Sequence, residues 1–203
     1  MQVFRAHEHQ LNHAELQEIQ LALKKGAVAI FPTDSVYTMA CAFSSNQGID
    51  KLCKLVGKKS SQANLSLLCS SFEMISDYTL PYSTAVFRLM KRVLPGPYTF
   101  ILNADVRKFR GYENRRKTVG IRMPDEAFLI EMIGMLNEPL FCSSLHSEDE
   151  MLQYFTDTEE IEERFADTVQ LFVDDGPGGL EPSTVIDCTG AEPSMVRQGK
   201  GEI

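Results

Sequence analysis

The chain has 203 residues, 43% apolar and 24% charged, and a formal net charge of −8, a make-up that fits a globular protein able to bury a substantial core. The surplus of acid argues against nucleic-acid binding by the surface as a whole, and no apolar run approaches the roughly 18 residues that a membrane-spanning helix needs. Met1 to His7 carries no charged lead followed by an apolar stretch, so no secretory signal and no membrane partner are expected, and a cytoplasmic location is.

Taken in order, Asn12 reads as a helix N-cap, with Leu16, Ile19 and Leu23 on one face and Lys24-Lys25-Gly26 as the stop. Ala27 to Phe31 has the branching and length of a buried strand, and Pro32, which lacks a ladder donor, ends it. A second helix begins at Asn46 with Ile49, Leu52, Cys53 and Val56 inward and closes near Gly57. Residues 58–64 are a polar loop and Leu65 to Cys69 a strand. A helix from about Ser83 carries Val86, Leu89, Met90 and Val93 on one side, and Pro95-Gly96-Pro97 turns the chain into the strand Tyr98 to Leu102.

After a basic loop, Thr118 to Arg122 is a strand closed by Pro124, residues 125–136 a helix, and Pro139 to Cys142 a short strand ending in Ser143-Ser144. An acidic helix starts at Thr156, with Glu159 as the partner of a capping box. Val169 to Val173 is a strand, Asp174 to Gly179 a flexible loop, Ser183 to Cys188 a strand, and Met195 to Arg197 a last short one. Interleaved helices and strands without repeat or linker predict one α/β domain over residues 1–203, built on a mixed sheet.

Five cysteines without a C-x-x-C pair suit reduced thiols used as small hydrophobes. His7, His9 and His13 share no helical register, and no metal site is expected of them. Lys51, Lys54, Lys58 and Lys59 form one basic cluster and Arg107, Lys108, Arg110, Arg115, Arg116 and Lys117 another; each is either a solvated face or part of a local groove.

The chemistry gathers at strand ends. Thr33, Asp34, Ser35 and Thr38 surround Tyr37 after the first long strand, a set that by itself reads first as a side-chain-capped turn and second as a seat for a small polar ligand. Polar groups recur at Thr118 with Arg122, at Ser143 and Ser144 with His146, and at Ser183 with Thr184. Ligands of open α/β sheets sit where such ends converge. Arg122 and Arg197 each close an apolar strand, where a guanidinium fork fits a carboxylate or phosphate. Neither G-x-x-x-x-G-K-[ST] nor G-x-G-x-x-G occurs, which removes the P-loop and dinucleotide folds, and no G-x-S-x-G elbow supports a hydrolase.

FPTDSVYTMA at 31–40, LSLLC at 65–69, PGPYTFIL at 95–102, KTVGIRMP at 117–124, PLFCSSL at 139–145, PSTVID at 182–187 and VRQG at 196–199 together resemble the YrdC-like family and, within it, the YciO branch. The family includes the threonylcarbamoyl-adenylate synthases of tRNA modification. The resemblance implies a YrdC/RibB-like twisted mixed sheet with helices on its convex side and a basic concave pocket. It also implies ATP with magnesium, L-threonine and bicarbonate as substrates. By motif, Ser35, Tyr37, Arg122 and Ser183 fall on the threonine side, and Lys58, Thr118, Ser144, His146 and Arg197 on the nucleotide side. No tightly bound cofactor is implied.

The family's K-x-R signature falls on Val56-Gly57-Lys58, with one cation missing, and its S-x-N reads Ser144-Leu145-His146. A histidine common after the strand at 65–69 is Cys69 here. These departures set an adenylate synthase against a non-catalytic binder of double-stranded RNA or tRNA that uses the same cleft. A third possibility is a pocket for another nucleotide, with His146 as acid or base.

Overall fold

A computed structural model describes residues 1–7, 10–57, 65–109, 117–146 and 153–202. Along these residues run β1 (Gln2–Arg5), α1 (His13–Lys24), β2 (Val28–Phe31), β3 (Thr38–Ala42), α2 (Asn46–Leu55), β4 (Ser66–Leu68), α3 (Phe72–Tyr78) and α4 (Thr84–Val93). They continue with β5 (Tyr98–Asn103), β6 (Thr118–Arg122), α5 (Ala127–Leu136), β7 (Leu140–Ser144), α6 (Thr158–Phe165), β8 (Leu171–Asp174), β9 (Thr184–Asp187) and β10 (Ser194–Arg197).

The strands make one 10-stranded sheet in the order β1-β8-β2-β3-β7-β4-β6-β5-β9-β10. Pairing is mixed, as the sequence predicts: β1 with β8, β2 with β8, β4 with β6 and β5 with β9 are parallel, and the other pairs antiparallel.

Period-two alternation divides the strands between two faces. Val119 and Ile121 of β6, Phe100 and Leu102 of β5, Phe141 of β7 and Leu67 of β4 enter one apolar cluster with Ile49, Leu52, Ile75, Val86, Met90 and Ile161 from α2, α3, α4 and α6. On the opposite face, Ala29, Phe31, Ala40, Ala42 and Leu171 meet Leu16, Ile19 and Leu23 of α1 and Leu129, Met132 and Ile133 of α5. The alanines leave room for helix backbones to come close. Those helices cover only the half of this face that belongs to β1, β8, β2, β3 and part of β7. Over β4, β6, β5 and β9 the same face carries Ser66, Thr99, Thr118, Gly120 and Arg122, and a cavity opens there.

Local chemistry sets the helix ends. Asn12 accepts from the amides of Ala14 and Glu15 while Glu15 returns a bond to the Asn12 amide, a full capping box. The acidic helix begins two residues later than the sequence suggests: Asp157 caps it, accepting from Glu159 and Glu160, so Glu159 donates to an aspartate cap and does not pair with Thr156. The strands β1 and β3 and the helix α3 have no counterpart in the predicted elements; β1 has four residues and α3 seven, and β3, buried along its whole length, shows no alternation. The loop at 174–179 is also not free. Gly178 lies against the Tyr37 ring and Gly179 against the Ser35 carbonyl, so close that a Cβ would collide at either position.

All five cysteines are buried thiols without a disulfide. His7 lies against the Asp174 carbonyl and His13 beside Gln17, while His9 is outside the described residues. No helix among the described residues is long and apolar enough to cross a membrane.

Candidate functional site

Why Arg122 sits where it does follows from its strand. In Thr118-Val119-Gly120-Ile121-Arg122 the even positions face the open half of the sheet and the odd ones the core. Arg122 is only 3% exposed, a position a guanidinium takes only with partners or a ligand. Its Nη2 donates to Ser35 Oγ at 2.8 Å and to Thr33 Oγ1 at 3.3 Å, and lies 3.5 Å from Asp34 Oδ1. Its Nε is buried with no hydrogen-bond partner among the described residues. A buried N–H without a partner is rare in folded proteins and marks this guanidinium out from an ordinary structural arginine.

The turn that receives Arg122 holds itself. Thr33 Oγ1 donates to the Val36 carbonyl at 2.7 Å and accepts from the Ser35 amide at 3.2 Å. Asp34 Oδ2 accepts from the Asp125 amide at 2.9 Å. Burial pushes the Asp34 carboxyl above its ordinary value, against the Asp125 amide and the charges of Arg122 and Lys200. Glu126, next along the chain, is pushed up to about 7 by burial first and then by Asp175, Asp34 and Asp125.

The cavity is about 590 Å³, and its lining includes Arg122, Lys117, Thr118, Ser144, Ser183 and Arg197. Its floor is kept open at Gly120, where a Cβ would stand 2.5 Å from Ser66 Oγ. Ser183 Oγ shares a 2.7 Å bond with Thr99 Oγ1, and the Ser183 carbonyl accepts from Arg197 Nη2 at 2.7 Å. A bulge in β10 aims that arginine. Met195 pairs with Ile186, yet Arg197, not Val196, pairs with Val185, so the extra residue turns the guanidinium to the cavity face. His146 also lines the cavity, its ring 4.8 Å from that of Tyr154.

Of the residues read from the sequence, Thr118, Arg122, Ser144, His146, Ser183 and Arg197 therefore meet in one cavity, and Ser35 joins them through its bond to Arg122. Tyr37 does not. Its ring is 2% exposed and packs edge-on against Phe172 at 5.7 Å. Its hydroxyl donates to the Gly176 carbonyl at 2.7 Å and accepts from the Asp175 amide at 3.0 Å. Tyr37 pins the glycine loop beneath the Ser35 turn and is not among the residues that line the cavity; burial also raises its pKa.

Of the K-x-R segment, Val56 and Gly57 close α2, while Lys58 lies outside the described residues, as do Lys59, Arg110, Arg115 and Arg116. Lys51 donates to the Gly26 carbonyl, away from the cavity. Arg107 is paired with Asp105 and Lys108 stands over the Tyr78 ring at 5.7 Å, so of the described second basic cluster only Lys117 reaches the cavity.

The reading of motifs passed over Ser66 and Thr99. Each is a lone hydroxyl at an alternating position in an apolar strand, and that signal could have found them. Lys200, whose Nζ donates to the Asp34 carbonyl at 2.6 Å across 166 residues of sequence, carried no signal.

A mixed sheet with a half-bare face, and polar side chains and arginines gathered at its strand ends, is the architecture of a YrdC-type α/β protein. A family model named Sua5_yciO_yrdC and described as "Telomere recombination" matches residues 21–199. The chain belongs to the Sua5/YciO/YrdC family.

The uncharacterized protein YciO of Escherichia coli (strain K12) is 34% identical over 186 residues, 89% of this chain and 87% of that one. The crystal structure of E. coli YciO aligns with a TM-score of 0.88 and 30% identity, over 99% of this chain and 97% of that one. The threonylcarbamoyl-AMP synthase of Vibrio vulnificus (strain YJ016) is more distant, 27% identical over 134 residues, 64% of this chain and 71% of that one. P. abyssi Sua5 complexed with L-threonine shares the fold at a TM-score of 0.83 and 21% identity, over 98% of this chain but only 57% of that one.

Proposed function

We propose that the cavity binds an adenine nucleotide and L-threonine side by side, and that the chain is a slow threonylcarbamoyl-AMP synthase. The observation that carries this reading is buried Arg122, with an Nε that has no partner among the described residues, in the lining of a cavity that also holds Arg197, Lys117 and a set of hydroxyls. In this reading the threonine carboxylate completes the Arg122 fork, with Ser35 and Thr33 holding the guanidinium in plane. Arg197, Lys117, Thr118 and Ser144 take the phosphates, and Ser183 lies between the two ligands. The site of Sua5 occupied by L-threonine supports the choice of amino acid.

The reaction joins threonine's amine to bicarbonate, with loss of water, as a carbamate. A carbamate oxygen then attacks the α-phosphorus of ATP, forming the mixed anhydride while the bond to pyrophosphate breaks. The protein's part is placement and charge neutralisation, which is what a cavity with cations at both ends supplies. In this reading magnesium arrives on the triphosphate as part of the substrate. A slow rate follows from Lys58 standing alone where two cations are the rule, and from an imidazole, His146, in place of an amide.

Incubation with threonine, bicarbonate and magnesium ATP tests the reading. Threonine-dependent pyrophosphate release together with threonylcarbamoyl-adenylate by mass spectrometry is expected; release no greater than in threonine-free controls would refute it. Binding of double-stranded RNA or tRNA in the same cleft is the second reading. It has less support, because Arg107 and Lys108 are engaged with Asp105 and Tyr78. It requires affinity that falls steeply with added salt.

A further inference from the structure

The last described residues, 197–202, form a strap over the ends of β9 and β5. The Gly199 amide donates to Thr184 Oγ1 at 2.9 Å, and that hydroxyl donates to the Gly201 carbonyl at 2.6 Å. The Lys200 amide donates to the Pro182 carbonyl at 2.9 Å, and Tyr98 Oη donates to the Glu202 carbonyl at 2.6 Å. Glycine is needed at both 199 and 201, where a Cβ would run into the Pro182 carbonyl and the Tyr98 ring. The backbone on either side of Lys200 is thus fixed to the strand that presents Ser183. From this anchor the Lys200 ammonium reaches across the site to the Asp34 carbonyl at 2.6 Å, in the turn that orients Arg122.

We propose that Lys200 is a positioning residue of this site: its bond to the Asp34 carbonyl ties the Thr33–Ser35 turn to the strap and so sets the angle at which Arg122 meets its anion. The proposal rests on the reading of the cavity as an anion site, and it assigns a task to a residue outside the family motifs quoted above. An ammonium on a flexible stem, exposed at the rim, makes a bond that opens and recloses easily. Ordering the turn before the ligand arrives reduces the entropy that binding has to supply. The Lys200 charge also favours the ionised Asp34 carboxyl, against the larger effect of burial.

Two arms test it on the full chain with Lys200→Met and Lys200→Arg. The amides of Ser35 and Asp125 both donate into this turn. Their hydrogen exchange, read by NMR, is expected to be at least threefold faster in Lys200→Met and near wild type in Lys200→Arg, with the Ala40 amide of β3 and the melting temperature unchanged. Equal exchange in wild type and Lys200→Met overturns the proposal, with or without ligand.

In the second arm, calorimetry is expected to show L-threonine binding three- to tenfold weaker in Lys200→Met, recovered in Lys200→Arg, with AMP affinity within twofold. Unchanged threonine affinity also overturns it. Wild-type protein that binds neither ligand refutes the reading of the cavity instead, and the exchange arm then decides on Lys200. Should Lys200→Met fail to fold, Lys200→Gln takes its place in both arms.

Discussion

One face of one sheet is used in two ways. Over β2, β3 and β8 it carries Ala29, Ala40, Ala42 and Leu171 and is sealed by α1 and α5. Over β4, β6, β5 and β9 it carries Ser66, Thr118, Gly120, Arg122 and Thr99 and stays open. The backbone ladder runs through both halves without interruption. What separates them is the chemistry of alternate side chains. Small apolar groups attract a helix, whereas hydroxyls and a guanidinium would be stranded beneath one. The open half is paid for by the other face of the same strands, where Val119, Ile121, Phe100 and Leu102 are almost fully buried.

This contrast is sharpest within single strands, and substitutions there can break it. Phe100 is fully buried; Phe100→Ala should cost about 3–5 kcal/mol in urea denaturation. Thr118→Ala, on the neighbouring strand but facing the cavity, should cost less than about 0.5 kcal/mol. Similar losses for the two would mean that the cavity half is structural after all.

Arg122→Met comes next. Ligand affinity should fall by at least tenfold, about 1.4 kcal/mol, and stability should fall as well, because removing the guanidinium leaves the largely buried Asp34 carboxylate without its cation. A large loss of stability with binding retained would turn Arg122 into a structural ion-pair partner.

Tyr37→Phe removes a hydroxyl bonded to Gly176 and Asp175. A loss of about 1–2 kcal/mol in stability with ligand affinity unchanged is expected; the reverse pattern would restore Tyr37 to the ligand.

The smallest effect concerns Glu126, whose folded value of about 7 exceeds its ordinary 4.5. A raised carboxyl holds its proton more tightly when folded, so the stability it contributes is complete below about 4.5 and is lost as pH rises through about 7. Glu126→Gln should therefore match wild type near pH 4.5 and be the more stable by about 1 kcal/mol at pH 8, since solvent at this half-buried site screens part of the effect. Parallel stability curves from pH 4.5 to 8 would show that neither burial nor the neighbouring carboxylates raise it.

Much of this architecture is legible in the residues. Helix α1 announces itself by Asn12, Leu16, Ile19 and Leu23, and β6 by alternation closed with Pro124. The convergence of Arg122, Ser144, Ser183 and Arg197 follows from the family motifs they sit in. Other features depend on distant partners. The bulge that aims Arg197 is visible only against β9. The role of Tyr37 depends on where a loop 139 residues later comes to rest. The glycines at 178 and 179 read as a loose turn, yet they are small because two segments press together there. Lys200 is one lysine among many until the chain is folded.

A crystal structure with AMP and L-threonine bound tests the central claim most directly. The account predicts the threonine carboxylate on Arg122 Nε and the phosphate within hydrogen-bond distance of Arg197, both in the cavity floored by Gly120. Ligand density elsewhere on the protein, with Arg122 Nε still unpartnered at saturating ligand, would contradict it.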